Sequence, residues 1–245
     1  MFKVYAITDI GKERKENQDG VFVDGIRVSK SFHRQLYYET DSDYIHLAIC
    51  DGVGSTKYAS EAVECSLEFL STCSKLNNEE EITEMIVALN EYVYLKMNER
   101  RMEGATTIAG VIINKNAAYV YNIGDTLVFT INGGYLEKQT IDDVQNSTFG
   151  EEQIDEDGIH IKAPLIQSIG TCRLIEKVHV KKVVNENSFI ICSDGISDLL
   201  GIDGMEDVIN SSSSLKDISE LMVNESLNNG GYDNCSIIIA VQEEC

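Results

Sequence analysis

Basic residues are scarce in this 245-residue chain, which carries 20 Lys and Arg against 41 Asp and Glu. The formal net charge of −21 repels nucleic acid and anionic lipid, so we expect neither nucleic acid nor membranes as partners. Long apolar runs are also missing, because nowhere do eighteen uncharged apolar residues follow one another. The first residues lack an apolar segment followed by a cleavage site. The sequence therefore predicts a protein that is neither exported nor membrane-spanning.

Paired cysteines are absent as well. The seven cysteines form no Cys-x-x-Cys pair, and several lie inside apolar runs such as FIICSD. An odd, scattered set argues against a disulfide framework or a zinc site and favours reduced thiols in the core. Reduced thiols predict a cytoplasmic protein.

The remaining composition is that of an ordinary folded protein, with 43% hydrophobic and 25% charged residues. A chain of this length forms one large domain most simply. Alternating apolar residues predict strands, and apolar residues three to four positions apart predict helices. The predicted strands are Lys3–Thr8, Gly20–Val28, Tyr44–Cys50, Thr107–Ile113, Ala117–Ile123, Leu127–Ile131, Val178–Val184, Ser188–Cys192 and Cys235–Val241. The predicted helices span residues 56–76, 78–102, 203–210 and 214–228.

Strands and helices do not alternate strictly along the chain, which argues against a doubly wound parallel sheet. Short turns such as NKNA and NGGY join several predicted strands, and strands joined so tightly pair antiparallel. We therefore expect an α+β fold in which helices pack outside antiparallel sheets.

The stretch ICDGVGSTKYAS, from Ile49 to Ser60, places one aspartate and two glycines between an apolar run and a helical pattern. A phosphate-binding loop needs Gly-Lys followed by Ser or Thr, but here Ser55 follows Gly54 and the lysine comes later. A dinucleotide-binding turn needs a third glycine that this stretch lacks. A carboxylate that binds metal, or an ordinary Asp-Gly turn, remains as the explanation.

Five aspartates lie at the edges of predicted strands: Asp19, Asp51, Asp125, Asp194 and Asp233. Strand ends at one rim of a sheet bring distant carboxylates close together, and cations then offset their mutual repulsion. Oxygen ligands of this kind suit Mg²⁺ or Mn²⁺ rather than zinc. Any one of these aspartates taken alone is more often part of a turn, so the metal hypothesis depends on the whole set.

Seven ordered motifs resemble those of the metal-dependent protein phosphatases of the 2C type. They are RKENQDG, AICDGVGS, GATTIAGVII, YNIGDT, LIQSIGT, CSDGISDLL and GYDNCSIIIAV, and they begin at Arg14 and reach nearly to the end of the chain. The resemblance implies a four-layer αββα sandwich, in which two antiparallel β-sheets are flanked by helix pairs. It also implies that residues 1–245 form a single catalytic domain.

The resemblance implies a metal-binding role for residues in four of these motifs. Asp51 bridges two Mg²⁺ or Mn²⁺ ions, and the carbonyl group of Gly52 binds one of them. Asp194 and Asp233 complete the ligands of the other ion, while Asp19 holds metal-bound waters.

Two further roles follow from the same resemblance. Asp125 together with Asp194 binds a third, weaker ion, and Arg14 grips the phosphate of the substrate. The water between the two principal ions, bridged by Asp51, then attacks phosphoserine or phosphothreonine directly, without a phosphoenzyme. Arg14 and Asp51 are therefore the expected catalytic residues.

The expected function is that of a bacterial-type protein serine/threonine phosphatase, a phosphoric monoester hydrolase. Its partners are phosphoproteins, including a Ser/Thr kinase or its substrates, and it is expected to act as a monomer. The alternative is a weak or inactive relative that serves as a phosphoprotein-binding regulatory module. Hydrolysis of small phosphate esters is a third hypothesis that the residues alone leave open.

Several positions depart from the family pattern. Val53 stands where some members have a histidine that protonates the leaving alkoxide, and Gln18 replaces a glutamate. Residues 25–43 are longer than a tight hairpin needs and contain clustered basic residues. Residues 137–158 are acidic and lie where the family has a mobile flap, so they form either a substrate-contacting loop or a solvated one.

Overall fold

The computed structural model describes residues 1–115, 117–145, 163–184, 186–212 and 214–243, together with the backbone of residues 153–154 and 160–161. The elements in chain order are β1 (Phe2–Asp9), β2 (Asp19–Val23), β3 (Ile26–Ser29), β4 (His33–Thr40), β5 (Ile45–Asp51), α1 (Ala59–Leu70), α2 (Glu79–Arg100), β6 (Ile108–Asn114), β7 (Ala117–Ile123), β8 (Leu127–Asn132), β9 (Tyr135–Lys138), β10 (Gln153–Ile154), β11 (His160–Ile161), β12 (His179–Val183), β13 (Ser188–Cys192), α3 (Asp194–Ser211), α4 (Leu215–Asn228) and β14 (Cys235–Gln242).

Two antiparallel sheets of six strands each form the centre of the fold. The first has the order β4-β1-β14-β13-β8-β9, and the second has the order β12-β7-β6-β5-β2-β3. Within the part of the chain that the structure describes, β10 and β11 form a separate two-stranded sheet. The inner strands β5, β7 and β14 are buried at nearly every residue, so both faces of each sheet are covered there.

Apolar side chains fill three layers between and around the sheets. Val4 and Ile191 belong to the core between the two sheets. Ile86 of α2 packs with Ile112 on the outer face of the second sheet, and Met222 of α4 belongs to the core that covers the first sheet. This is the four-layer αββα sandwich predicted from the sequence. Among the described residues, no helix combines the length and the apolar character needed to cross a membrane.

Most predicted elements are confirmed to within a few residues, but the strand predicted over Gly20–Val28 is wrong. The chain turns there at Asp24 and Gly25, whose φ angles are 45° and 94°, so that β2 and β3 form a hairpin. The next residues, within 25–43, were expected to form an insertion longer than a hairpin needs. They instead include β4, which pairs along its whole length with β1. β4 is an edge strand with a charged, partly exposed sequence, so it lacks the apolar alternation that predicts a strand.

The third helix also differs from the prediction. It begins at Asp194, directly after β13, rather than at residue 203. Gly201 interrupts it with a φ of 64°, and this break explains why only the second half shows a clear helical pattern. Asp194 is therefore the first residue of a helix.

The expectation of core thiols holds for four cysteines, Cys50, Cys65, Cys192 and Cys235, which are buried. Cys172 is exposed, so the expectation is wrong for this residue. It lies in the irregular segment before β12, and its backbone oxygen accepts from Asn90 Nδ2 of α2 at 2.9 Å.

We predict that Gly110→Ala destabilises the fold. A Cβ atom at this position would lie 2.4 Å from the Tyr121 ring and 2.6 Å from the backbone oxygen of Leu47, and neither can move freely inside the sheet. The expected loss is about 2 kcal/mol in the free energy of unfolding, measured by urea denaturation. Gly204→Ala is the control, because its nearest neighbour is Leu200 Cβ at 3.6 Å. It should raise stability by about 0.5–1 kcal/mol, and equal behaviour of the two variants would contradict the packing argument.

Candidate metal centre

Asp19 and Asp51 face each other on neighbouring strands. β2 begins at Asp19, β5 ends at Asp51, and the antiparallel register pairs the two residues directly. Asp19 lies on the same face of β2 as Val21, and Asp51 lies on the same face of β5 as Ile49. The side chains of Val21 and Ile49 belong to the core between the sheets. Directly paired residues have Cβ atoms about 4.5–5.5 Å apart, so two carboxylates here would repel each other if both were ionised. The pair lies at the open end of the space between the sheets.

The carboxylate of Asp19 joins the two sheets. Only 1% of this residue is exposed. Its Oδ2 accepts hydrogen bonds from Ser193 Oγ at 2.9 Å and from Ser236 Oγ at 2.6 Å, and both donors belong to the opposite side of the sandwich. Its Oδ1 is buried and accepts no hydrogen bond from any residue in the described part of the chain. A buried carboxylate oxygen without a donor is suited to a cation ligand.

Burial raises the pKa of Asp19 to about 6, from an ordinary value of 3.8. The hydroxyl groups of Ser236 and Ser193, together with the side chain of Asp51, oppose the increase because they stabilise the charged form, whereas the negative charge of Asp233 adds to it. The protein therefore holds a carboxylate where its charge is unfavourable unless a cation or a proton offsets it.

Arg14 lies beside Asp233 and the turn that follows Asp51. Its Nη2 is 2.5 Å from Asp233 Oδ2, and the two side chains are 42% and 31% exposed. A Cβ atom built on Gly54 would lie 3.5 Å from Arg14 Nη1, so the guanidinium group rests against that turn. The structure thus brings Arg14 next to two of the predicted metal-binding motifs while leaving it accessible to solvent.

Asn234 holds the loop that carries Arg14. Its side chain is buried, its Oδ1 accepts the backbone N–H of Gln18 at 2.8 Å, and its Nδ2 donates to the backbone oxygens of Ile10 and Glu16 at 2.8 and 3.1 Å. Because Asn234 follows Asp233, one short segment fixes both a predicted ligand and the loop of the predicted phosphate-binding residue.

Asp194 reaches the same end of the molecule through the start of α3. Ser193, whose hydroxyl bonds to Asp19, immediately precedes it. A Cβ atom on Gly195 would lie only 2.0 Å from the backbone oxygen of Asn234, so glycine permits this close approach. A carboxylate in the first turn of a helix is also favoured by the helix dipole.

Threonines of the GATT motif fix the backbone of the Asp51 turn. The backbone oxygen of Asp51 accepts from Thr106 Oγ1 and from the N–H of Thr107, both at 2.8 Å, while its own N–H donates to Thr107 Oγ1 at 3.2 Å. Gly52 donates its N–H to the backbone oxygen of Gln18 at 3.1 Å, and a Cβ atom would lie 2.8 Å from that oxygen. The turn is therefore held on both sides by backbone contacts.

Asp125 belongs to the neighbouring turn between β7 and β8. The register that pairs Leu127 with Cys192 places Asp125 and Asp194 two residues beyond that pair, at the same end of the strands. Next to Asp125, Thr126 Oγ1 lies 2.5 Å from Thr107 Oγ1, which links this turn to the Asp51 turn.

The structure thus gathers Asp19, Asp51, Asp194 and Asp233 at one end of the sandwich and places Asp125 in the adjoining turn. Within the described residues, no group of three His, Cys, Asp or Glu side chains is arranged to hold a single metal ion. The chemistry of these side chains nevertheless fits a hard divalent cation, since all of them offer carboxylate oxygens as ligands. Asp19 Oδ1 is in addition buried and accepts no hydrogen bond from the described residues.

Sequence reasoning missed the hydrogen-bonding residues behind the aspartates. Ser193, Asn234 and Ser236 are three of these, and Asn17 is another, since its Oδ1 accepts the N–H of Asp19 at 3.0 Å. Each lies within three residues of a predicted aspartate and inside one of the seven motifs, but neither signal assigns it a hydrogen-bonding partner. The acidic residues 151–157 of the expected flap lie outside the residues whose side chains are described.

Comparison with known proteins agrees with the motifs. A family model described as Protein phosphatase 2C matches residues 31–230 of the chain. The chain belongs to the protein phosphatase 2C family. The match includes four of the predicted site residues, Asp51, Gly52, Asp125 and Asp194, while the other three lie outside it.

Curated relatives of this 2C-family protein match over nearly the whole chain. The serine/threonine phosphatase stp of Listeria welshimeri is 24% identical over 251 residues, which cover 95% of this chain and 92% of the relative. Protein phosphatase PhpP of Streptococcus pneumoniae is 23% identical over 256 residues, covering 99% and 98%.

Solved structures share the fold of this 2C-family protein. The serine/threonine phosphatase Stp1 from Staphylococcus aureus superposes with a TM-score of 0.80 at 18% identity, covering 100% of this chain and 96% of that one. The serine/threonine phosphatase of S. agalactiae gives a TM-score of 0.77 at 21% identity, covering 99% and 100%.

We predict that Asp19→Asn stabilises the metal-free protein at pH 7.5. The folded state binds the proton of Asp19 more tightly than the unfolded chain, so the contribution of this group to stability falls as pH rises from about 4 to about 6. Removing the charge should restore up to about 3 kcal/mol at pH 7.5, and less at pH 4.5, in urea denaturation with EDTA.

The control for this measurement is Asp41→Asn, an exposed residue at which no comparable effect is expected. A loss of stability in Asp19→Asn at pH 7.5, or the same change at both pH values, would contradict the assignment of a destabilising buried charge. With Mn²⁺ added, the variant should gain less stability than the unmodified protein.

Proposed function

We propose that the protein is a serine/threonine phosphatase that hydrolyses phosphoserine and phosphothreonine with Mg²⁺ or Mn²⁺ and without a phosphoenzyme. The observation that carries this proposal is the convergence of four aspartates, from distant parts of the chain, at one end of the sandwich. Membership of the 2C family supports it, and so do the names of the relatives.

Two ions would be held by Asp51, the Gly52 carbonyl group, Asp194 and Asp233, with Asp19 acting through water. Asp125 together with Asp194 would hold a third, weaker ion. When bound, such ions activate water as a nucleophile and neutralise charge on the phosphoryl oxygens. The convergence of these carboxylates, and the unsatisfied oxygen of Asp19, support the assignment.

Arg14 would bind and orient the phosphoryl group. Its planar guanidinium group carries five N–H donors in a geometry that matches phosphate, and the bond to Asp233 occupies one edge. The exposure of Arg14 leaves the group open to substrate, and Asn234 fixes the loop beneath it. The side chain of Val53 carries no exchangeable proton, so water would protonate the leaving alkoxide.

The physiological setting that we propose follows the sequence analysis. Residues 1–245 act as one catalytic domain, as a monomer in the cytoplasm, on phosphoproteins that include a Ser/Thr kinase or its substrates. The inactive alternative is not supported, because no predicted aspartate is replaced and Arg14 is present.

We predict that release of phosphate from a phosphothreonine peptide requires Mn²⁺ or Mg²⁺ and is abolished by EDTA. Asp194→Asn should lower kcat/KM by about 100-fold or more, because loss of a ligand removes several kcal/mol of charge stabilisation. The control is Asp203→Asn, an exposed residue of the same helix. Equal release in EDTA would falsify the metal-dependent mechanism. Comparison with p-nitrophenyl phosphate separates a protein phosphatase from a hydrolase of small esters.

We predict that Arg14→Ala raises KM for the peptide and lowers kcat/KM by about 10- to 100-fold. Charge-assisted hydrogen bonds to phosphate contribute about 1.5–3 kcal/mol, which corresponds to that range. Arg27→Ala removes a cation from the exposed face of β3 and should leave both constants unchanged. Unaltered kinetics in Arg14→Ala would remove this residue from substrate binding.

A further inference from the structure

Asp143 joins three separate parts of the molecule and is only 3% exposed. Its Oδ2 accepts the backbone N–H of Gly124 at 2.9 Å, and its Oδ1 lies 2.8 Å from His179 Nε2. Its backbone N–H donates to the oxygen of Gly124 at 3.0 Å, and its backbone oxygen accepts from Ile166 at 2.7 Å. Every polar group of Asp143 therefore has a hydrogen-bonding partner, and two of these bonds are made with Gly124.

Gly124 is the residue immediately before Asp125, and its conformation depends on these contacts. Its φ is 97°, and a Cβ atom would lie 2.6 Å from a methyl carbon of Thr107. On the far side of the turn, Thr126 Oγ1 is 2.5 Å from Thr107 Oγ1. Asp143 thus holds one side of the Asp125 turn, while Thr107 and Thr126 hold the other.

His179 fixes the carboxylate of Asp143 from the edge of the second sheet. The side chains of this pair are 10% and 5% exposed, so water competes little with the bond between them. His179 lies on β12, directly opposite Asn122 of β7, whose Nδ2 donates to the oxygens of Gly124 and Ile141 at 3.3 and 2.7 Å. Two neighbouring strands therefore orient the segment that contacts the turn.

We propose that Asp143, oriented by His179, is a positioning residue that fixes the Gly124–Asp125 turn, so that the affinity for the weakest of the bound cations depends on this pair. The inference rests on the proposed role of Asp125 and names residues outside the seven motifs. Asp143 does not itself bind the ion. It acts through the backbone of Gly124, and supporting contacts of this kind change metal affinity by about 10- to 100-fold.

The test measures Mn²⁺ binding by isothermal titration calorimetry, together with the Mn²⁺ dependence of phosphopeptide hydrolysis. In Asp143→Ala the weakest binding event should weaken by about 10-fold or more, while the tighter events change by less than about twofold. The Mn²⁺ concentration for half-maximal kcat should rise in parallel, with KM for the peptide unchanged. Asp125→Ala should abolish the same event.

Two further variants separate positioning from general destabilisation. Asp143→Asn keeps an oxygen for Gly124 and presents an amide to the ring of His179, so its weakest binding event should stay within about threefold of the unmodified protein. His179→Ala should weaken that event by about 3- to 10-fold. The matched control is Asp142→Ala, which removes a neighbouring carboxylate that is bonded to Lys138 and should change no binding event.

The inference is overturned if Asp143→Ala and His179→Ala bind Mn²⁺ as the unmodified protein does, or if all binding events weaken together. A binding curve with only two events in the unmodified protein also overturns the inference. If that protein still shows metal-dependent activity, the proposed function stands. Absence of any metal-dependent hydrolysis by the unmodified protein counts instead against the proposed function. Should Asp143→Ala fail to fold, His179→Ala and Asp143→Asn decide the question.

Discussion

Repulsion between carboxylates at the open end of the two sheets is the constraint on which the rest of the site depends. Asp19 and Asp51 face each other because the ladder between β2 and β5 fixes their register. That ladder continues into a core of buried Val and Ile side chains, so the strands cannot slip to separate the two carboxylates. The hydrophobic core therefore supplies the stability that the charged end lacks. Under the proposed function, a divalent cation would supply the compensating charge.

Neutral hydrogen bonds, rather than lysines, hold the carboxylate of Asp19 and the segment that carries Asp233. Ser193 and Ser236 bond to Asp19, and Asn234 ties Asp233 to the loop of Arg14. Hydroxyl and amide donors orient a carboxylate without neutralising it, so its charge stays available to a metal. Arg14 is the exception, and its exposed ion pair with Asp233 is of a kind that contributes little to stability. Its position next to the carboxylates and its exposure suit the phosphate-binding role proposed for it.

The sequence predicts those features that arise from local pattern. Alternation of apolar residues located most strands, and β7 and β13 have the predicted bounds. The β2–β3 turn was missed because apolar residues flank it closely, and β4 was missed because an edge strand needs no continuous apolar face. The position of the aspartates at strand ends was also predictable. Their polar partners were not, because pairing Ser236 with Asp19 depends on how the two sheets are stacked.

The central claim is that carboxylates from distant parts of the chain together bind paired divalent cations. Anomalous scattering at the manganese absorption edge, from crystals grown with Mn²⁺, measures this most directly. The account predicts at least two peaks within coordination distance of the carboxylates of Asp51, Asp194 and Asp233, with Asp19 one water molecule away. Crystals that show no manganese among these side chains, at a concentration that supports hydrolysis, would contradict it.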